Sequence, residues 1–298
     1  MRPDYWFKNV FMLMGTIAAV AAGQVGFDLT LLGRTAAAFA LTCCAASTNY
    51  IINEILDAPF DRAHPVKRFR PVALGIVWVP ALLMMAVALA GVALAGAWWL
   101  AGERLTGSVG MLLVMGVVYN VRPLRSKDIP YVDAASEAVN NPIRLLIGWF
   151  AVGALSWPPS SLIFSYWAIG AFLMTAKRFA EVRFIGAANA RAYRASLGWY
   201  TEEGLLIAMI VYVSLTTFLY GVVALKYHAE LLLGLPLVLV FVAWFFHLAF
   251  EPDSIVKEPE RLIRKPSFLG YCSIVLVVLV GLAAVRLPWL VQFLGLER

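Results

Sequence analysis

The chain has 298 residues, 62% of them hydrophobic and 14% charged, with a formal net charge of +6, and its mean hydropathy is +0.80. Soluble domains are about half apolar and about a quarter charged, and disordered chains are poor in apolar and aromatic residues, so both classes are excluded. An integral membrane protein remains, and at roughly 20 residues per crossing the length has room for eight or nine helices with their loops.

In chain order, the apolar runs fall at residues 10–26, 29–52, 72–100, 107–119, 132–154, 161–176, 204–225, 231–250 and 268–290. They are too long and too continuously apolar for the alternating strands of a membrane barrel. The pattern therefore predicts an all-α bundle of about nine transmembrane helices, organised as one domain over residues 1–298. The N-terminal run lacks the small-residue cleavage site of a secretory signal, so it is expected to be retained. Cys43, Cys44 and Cys272 all lie inside apolar runs and read as small core residues. His247 sits in an apolar run and reads as a packed core residue.

Assigning alternate loops to opposite sides puts 18 of the 24 Lys and Arg residues on one side and 5 on the other, with Arg144 inside a helix. That bias predicts a cytoplasmic basic side in an inner or plasma membrane. Topology alone accounts for the positive charge, and no nucleic-acid partner is expected. Acids gather on the same side, although they contribute little to orientation. A polar cavity facing the cytoplasm would explain them.

Four constellations carry chemistry. Asn53, Asp57 and Asp61 are four apart and share one helix face, with Glu54 beside them. Like charges at that spacing repel, and oxygen donors of this kind suit Mg²⁺, which uses one or two carboxylates together with substrate phosphates. A solvated helix cap is the plain alternative. The loop His64-Pro65-Val66-Lys67-Arg68-Phe69-Arg70-Pro71 follows at once. Its cations suit a diphosphate and equally suit a positive-inside anchor.

The third constellation runs from Tyr119 and Asn120 through Arg122, Arg125, Lys127 and Asp128 to Asp133, Glu137, Asn140, Asn141 and Arg144. From Asp133 onward the spacings of three and four predict one polar stripe facing the bundle interior or a water-filled cavity. Arg144 then needs an anion, either a protein carboxylate such as Glu137 or Glu181 or a bound phosphate. The fourth is Lys177-Arg178-Phe179-Ala180-Glu181, where an i,i+4 ion pair between Lys177 and Glu181 is the plain alternative. The basic segments around 191–194 and 257–265 read as a solvated inner rim.

The pattern Asn53-x-x-x-Asp57-x-x-x-Asp61 resembles the first acidic motif of the UbiA superfamily of membrane prenyltransferases. Arg2-Pro3-x-x-Trp6-x-Lys8-Asn9, Lys67-Arg68-x-Arg70-Pro71 and Lys177-Arg178-x-Ala180-Glu181 are similar to one branch, the polyprenyl-phosphate (decaprenyl-phosphate) phosphoribosyltransferases. The resemblance extends over most of the chain and implies nine helices, with both acidic motifs on the cytoplasmic side. Two departures stand out. Glu54 replaces the usual Asp, and Lys177 with Glu181 replaces the two Asp of the second motif, which puts a second Mg²⁺ in doubt.

The resemblance also implies transfer from a diphosphate-containing donor to an isoprenoid lipid substrate, with Mg²⁺ as cofactor. Asn53, Asp57 and Asp61 would bind Mg²⁺–diphosphate. Lys67, Arg68 and Arg70 would stabilise the leaving diphosphate. Arg122, Arg125 and Lys127 would grip donor or acceptor phosphate. Tyr119, Asn140, Asn141, Arg144 and Arg178 are further substrate-binding candidates, and Glu181 would join the metal shell or orient Lys177. Phosphoribosyl transfer from phosphoribosyl diphosphate to a polyprenyl phosphate is the first expectation. Prenyl transfer to an aromatic or lipid-forming acceptor is the alternative, and a membrane transporter is the rival from another class.

Overall fold

The computed structural model describes residues 3–62, 67–185, 196–252, 254–257, 262 and 265–296. Every element among them is helical. The chain forms two compact units, Met1–Val20 with Gln24–Ser156 and Ala21–Gly23 with Trp157–Arg298.

In the first unit a 3₁₀ run, Pro3–Met12, continues as α1, Leu13–Ala21. Helix α2 covers Leu29–Asp61. Its N-terminus is capped by Asp28, whose carboxylate accepts the Leu31 N–H at 2.6 Å, satisfying one of the four open amides of a helix start. The helix runs on through Pro59 into the acidic segment. Helix α3, Val79–Asn120, is two helices in one, because Ala101 and Gly102 leave helical geometry (Gly102 at φ 72°, ψ −152°). Only glycine adopts that conformation readily, so this glycine fixes the break. Helices α4, Val132–Ala138, and α5, Asn140–Ala151, complete the unit.

The second unit contains α6, Ser160–Ile185, and α7, Glu202–Tyr227. A 3₁₀ run, Ala229–Gly234, leads into α8, Leu235–Phe250, followed by α9, Pro266–Ala284, and the short α10, Pro288–Phe293. Its core is aromatic. Phe172 packs on Phe245 and Phe246 at ring distances of 5.8 and 5.2 Å, and Phe179 meets Phe250 at 4.8 Å. His247 is exposed on the outside of α8, which corrects the expectation of a packed histidine: the neighbouring Leu248 and Ala249 take the inward face.

With α3 counted as two arms and α4–α5 as one broken segment, the described residues give nine long helical segments, in the order set by the apolar runs. Five of the helices are long and apolar enough to cross a bilayer. Large apolar side chains cover their outsides, including Val87, Val92, Ile210, Phe218 and Val277. Water would penalise so continuous an apolar surface, whereas hydrocarbon accepts it. Trp78 and Trp98 flank the first arm of α3 and are both exposed. Twenty residues of helix separate them, about 30 Å of rise, which places each indole at one interface of a bilayer core. The protein is an integral membrane protein.

Helices α1 and α5 touch backbone to backbone. A Cβ on Gly15 would meet the Leu145 carbonyl, and one on Gly148 would meet the Met12 carbonyl. Small residues permit such approach where no hydrophobic force drives helices together. The Thr16 hydroxyl seals the contact by donating to the Gly148 carbonyl at 3.1 Å. Gly148→Ala is expected to cost about 1–3 kcal/mol through overpacking, whereas Gly107→Ala, where a Cβ meets nothing, leaves stability unchanged or slightly raised. Thermal unfolding of both variants in detergent checks this, and equal melting temperatures would contradict the close approach.

Candidate functional site

The polar end of α2 is built from three pieces of sequence. The first is the helix face carrying Asn53, Asp57 and Asp61. Asp61 is buried, and Asn53 and Asp57 are half-buried. The second is the segment after α2, which folds back on it: Arg62 Nε donates to the Ala73 carbonyl at 3.1 Å, and Arg70 Nη1 donates to Asp61 Oδ2 at 2.7 Å. Arg68 is exposed and lies over the Phe69 ring at 4.8 Å. His64, Pro65, Val66 and the Lys67 side chain lie outside the described residues, as do Arg191, Arg194, Arg261 and Arg264.

The third piece is the turn after α3. Lys127, only 5% exposed, donates through Nζ to Asp57 Oδ1 at 2.6 Å and to Asn120 Oδ1 at 2.9 Å. Arg125 reaches the same Asp57 oxygen through Nη2 at 3.0 Å. Its Nε holds Asp128 at 2.8 Å, and its Nη1 donates to the Asn120 carbonyl at 3.3 Å. Its guanidinium also lies 5.3 Å from the Phe60 ring centroid. Arg125 occupies positive φ, 25°, a conformation that costs a non-glycine residue about 1–3 kcal/mol and persists only where surrounding contacts impose it. These contacts do so. Three carboxylates, three cations and two asparagines thus converge on one helix end, and the formal charges cancel.

The remaining candidates of this unit separate into two groups. Arg122 is exposed, and Tyr119 is half-buried on the last turn of α3. Between Asp133 and Arg144 the helical hydrogen-bond ladder lapses at Val139, where α4 stops at Ala138 and α5 starts at Asn140, although Val139 keeps helical angles (φ −59°, ψ −25°). Pro142 supplies the reason: it has no N–H to return to the Ala138 carbonyl. Asp133 is fully buried and caps its neighbour, accepting the Ala134 N–H at 2.8 Å. Asn140 donates to the Glu137 carbonyl at 3.1 Å, and Asn141 is half-buried.

Arg144 lies deeper and is 8% exposed. Its Nε donates to Asn9 Oδ1 at 3.1 Å and its Nη1 to the Asn140 carbonyl at 3.4 Å. Asn9 in turn donates to Cys43 Sγ at 3.3 Å. Among the described residues of its own unit no carboxylate forms an ion pair with Arg144, so Glu137 is not its partner. Asn9 belongs to the Arg2-Pro3-x-x-Trp6-x-Lys8-Asn9 pattern just ahead of the first run, but its pairing with Arg144 emerges only from packing. All three cysteines are free thiols.

In the second unit, near the end of α6, Arg178 is buried and donates to Glu181 Oε2 at 2.7 Å, while Lys177 Nζ stands 3.9 Å from Oε1. The arginine at i,i+3 is therefore the nearer partner, ahead of the lysine at i,i+4. Arg183 continues the row and pairs with Glu202 at the start of α7, 3.0 Å away. Among the described residues no three His, Cys, Asp or Glu side chains gather as a metal cluster.

The model of the UbiA prenyltransferase family matches residues 10–258. The chain belongs to this family. Among its UbiA relatives is the decaprenyl-phosphate phosphoribosyltransferase of Mycobacterium tuberculosis, 29% identical over 290 residues, covering 95% of this chain and 92% of the relative. The protein of the same name from Mycolicibacterium smegmatis is 31% identical over 226 residues, covering 74% and 67%. Among solved structures, a UbiA homologue from Archaeoglobus fulgidus bound to DMAPP and Mg²⁺ superposes with a TM-score of 0.71 at 16% identity, over 96% of this chain and 98% of that one. The GPP- and Mg²⁺-bound form gives 0.67, again at 16% identity, over 93% and 98%. The fold is that of UbiA, and the protein is a UbiA-type membrane transferase.

The double pairing of Asp57 makes a direct prediction. Lys127→Met strips a half-buried carboxylate of one of its two cations and is expected to cost about 2 kcal/mol. Adding Asp57→Leu should return part of that loss, because it removes the stranded charge. A double-mutant cycle on detergent-solubilised protein measures the coupling, and strictly additive effects would contradict the pairing.

Proposed function

We propose that the protein transfers the phosphoribosyl group of phosphoribosyl diphosphate to a polyprenyl phosphate, on the cytoplasmic side of the membrane. One observation carries this reading: the cluster on α6 is a carboxylate dressed by cations, with Arg178 2.7 Å and Lys177 3.9 Å from Glu181. Two carboxylates at these positions would suit a second metal ion. A lysine and an arginine suit an extra phosphate, and this reaction has two more phosphate groups than prenyl transfer to an aromatic acceptor, the sugar's own phosphate and that of the lipid acceptor. The phosphoribosyltransferase relative that covers 95% of the chain supports the same choice.

The residues of α2 fit one Mg²⁺. Asn53, Asp57 and Asp61 present only oxygen donors and amide groups on one helix face, and two carboxylates leave room for phosphate oxygens. When bound there, Mg²⁺ would offset charge building on the departing diphosphate.

The chain's own residues would do the rest. Arg70, Arg125 and Lys127 already stand within hydrogen-bond distance of the acids and would turn to phosphate oxygens, which Arg grips as a fork and Lys as a point charge. Lys67, Arg68 and Arg122 would extend that cationic surface, with Tyr119 beside it. Asn140, Asn141 and Arg144 would meet substrate at greater depth, where a guanidinium without a carboxylate favours an anionic group. Lys177 and Arg178 would neutralise a further phosphate. The bond from the anomeric carbon to the diphosphate oxygen breaks, and a phosphate oxygen of the lipid acceptor takes its place. Holding both anions in fixed orientation supplies most of the rate, and the apolar bundle accommodates the isoprenoid tail.

Diphosphate release by purified protein with Mg²⁺ tests the reading. Phosphoribosyl diphosphate with a polyprenyl phosphate should give release, and a prenyl diphosphate with aromatic acceptors should give none. Asp57→Asn should lower turnover at least a hundredfold while leaving the helical signal unchanged. Release only from the prenyl diphosphate would make the protein a prenyltransferase with an altered second cluster, and solute movement without bond cleavage would make it a transporter.

A further inference from the structure

The second unit carries another polar site, at the far end of α7 from Arg183 and Glu181. Helix α7 starts at Glu202, the partner of Arg183, and ends at Tyr227 after 26 residues. That is about 39 Å of rise, close to the full thickness of a bilayer with its headgroups. After it, the 3₁₀ run Ala229–Gly234 carries Glu230, which is 1% exposed. Glu230 Oε1 accepts the Leu287 N–H at 2.9 Å. Its Oε2 is buried and accepts no hydrogen bond from the described residues. Buried carboxylate oxygens are almost always satisfied, so this oxygen calls for a donor from elsewhere.

A cavity of about 660 Å³ adjoins it, lined by Glu230, Arg286, Pro288, Val291, Gln292 and Leu296 among others. The size is that of a small-molecule site. Arg286 is exposed, and its Nη1 donates to the Tyr227 carbonyl at 3.3 Å rather than forming an ion pair with Glu230. Its charge acts on Glu230 across the cavity without closing an ion pair, and its exposed guanidinium can still meet an anion. Leu287, Pro288, Val291 and Leu296 give the cavity an apolar lining, and Val285, Trp289 and Phe293 on the same stretch of chain are exposed, a surface suited to acyl chains. An occupant must thus combine three features: N–H donors for Glu230, an anion for Arg286 and a hydrocarbon body.

We propose that this cavity binds an aminophospholipid, with the primary ammonium donating to Glu230 Oε2 and the phosphate resting on Arg286. A choline headgroup has the same charges and no N–H, so it leaves Oε2 unsatisfied. A glycerol headgroup answers Arg286 but brings net negative charge to Glu230. The site is independent of the transferase reading and lies a bilayer's thickness from Glu181.

Native mass spectrometry of the full chain tests it, with phosphatidylethanolamine, phosphatidylcholine and phosphatidylglycerol of matched acyl chains. The expected result is retention of phosphatidylethanolamine at least tenfold over phosphatidylcholine. Glu230→Gln should bring that ratio close to one. Arg286→Gln, at an exposed position that does not threaten folding, should weaken retention of both lipids. Equal retention of ethanolamine and choline lipids by the native protein, preference for phosphatidylglycerol, or an unchanged ratio in Glu230→Gln would each overturn the proposal. Soluble phosphoethanolamine binding as tightly as the lipid would overturn the lipid assignment.

Discussion

The charge on Asp57 organises the polar end of the first unit. A carboxylate at the end of a membrane helix is costly unless a cation meets it, and here two cations meet the same oxygen, Lys127 at 2.6 Å and Arg125 at 3.0 Å. That requirement ties the turn after α3 to the end of α2. It holds Arg125 at positive φ and draws Asn120 into the cluster through Lys127. Asp61 and Arg70 repeat the arrangement one turn further on and fold the next segment back along α2. The long helix passes through Pro59 because these contacts on its acidic face outweigh the one hydrogen bond the proline removes.

The same neutrality suits an exchange of partners. Cations that hold carboxylates are placed to hold phosphates, and carboxylates released from cations are placed to hold a metal ion. The cluster on α6 has a different make-up, with Arg178 and Lys177 both near Glu181, and it is the basis for proposing a phosphorylated sugar as donor.

Much of the fold was legible because each helix satisfies its own backbone in lipid. Nine apolar runs could be counted without knowing how they pack. The shared face of Asn53, Asp57 and Asp61 followed from helical spacing alone. Partners were not legible in the same way. Lys127 lies 70 residues from Asp57, and Asn9 lies 135 from Arg144, and no local spacing reports which loop returns to which helix end. The stripe from Asp133 to Arg144 assumed an unbroken hydrogen-bond ladder, and Pro142 removes a rung of it. Lys177 and Glu181 matched an i,i+4 pair, yet the buried Arg178 is the shorter partner. His247 shows a further limit: an apolar run marks membrane depth but not which face of the helix looks inward.

The most direct measurement is a structure of the protein with Mg²⁺ and phosphoribosyl diphosphate bound. The account predicts that Lys127 Nζ leaves Asp57, now 2.6 Å away, for a phosphate oxygen, while Asp57 turns to the metal. Lys127 and Arg125 still seated on Asp57, with the diphosphate held elsewhere, would contradict it.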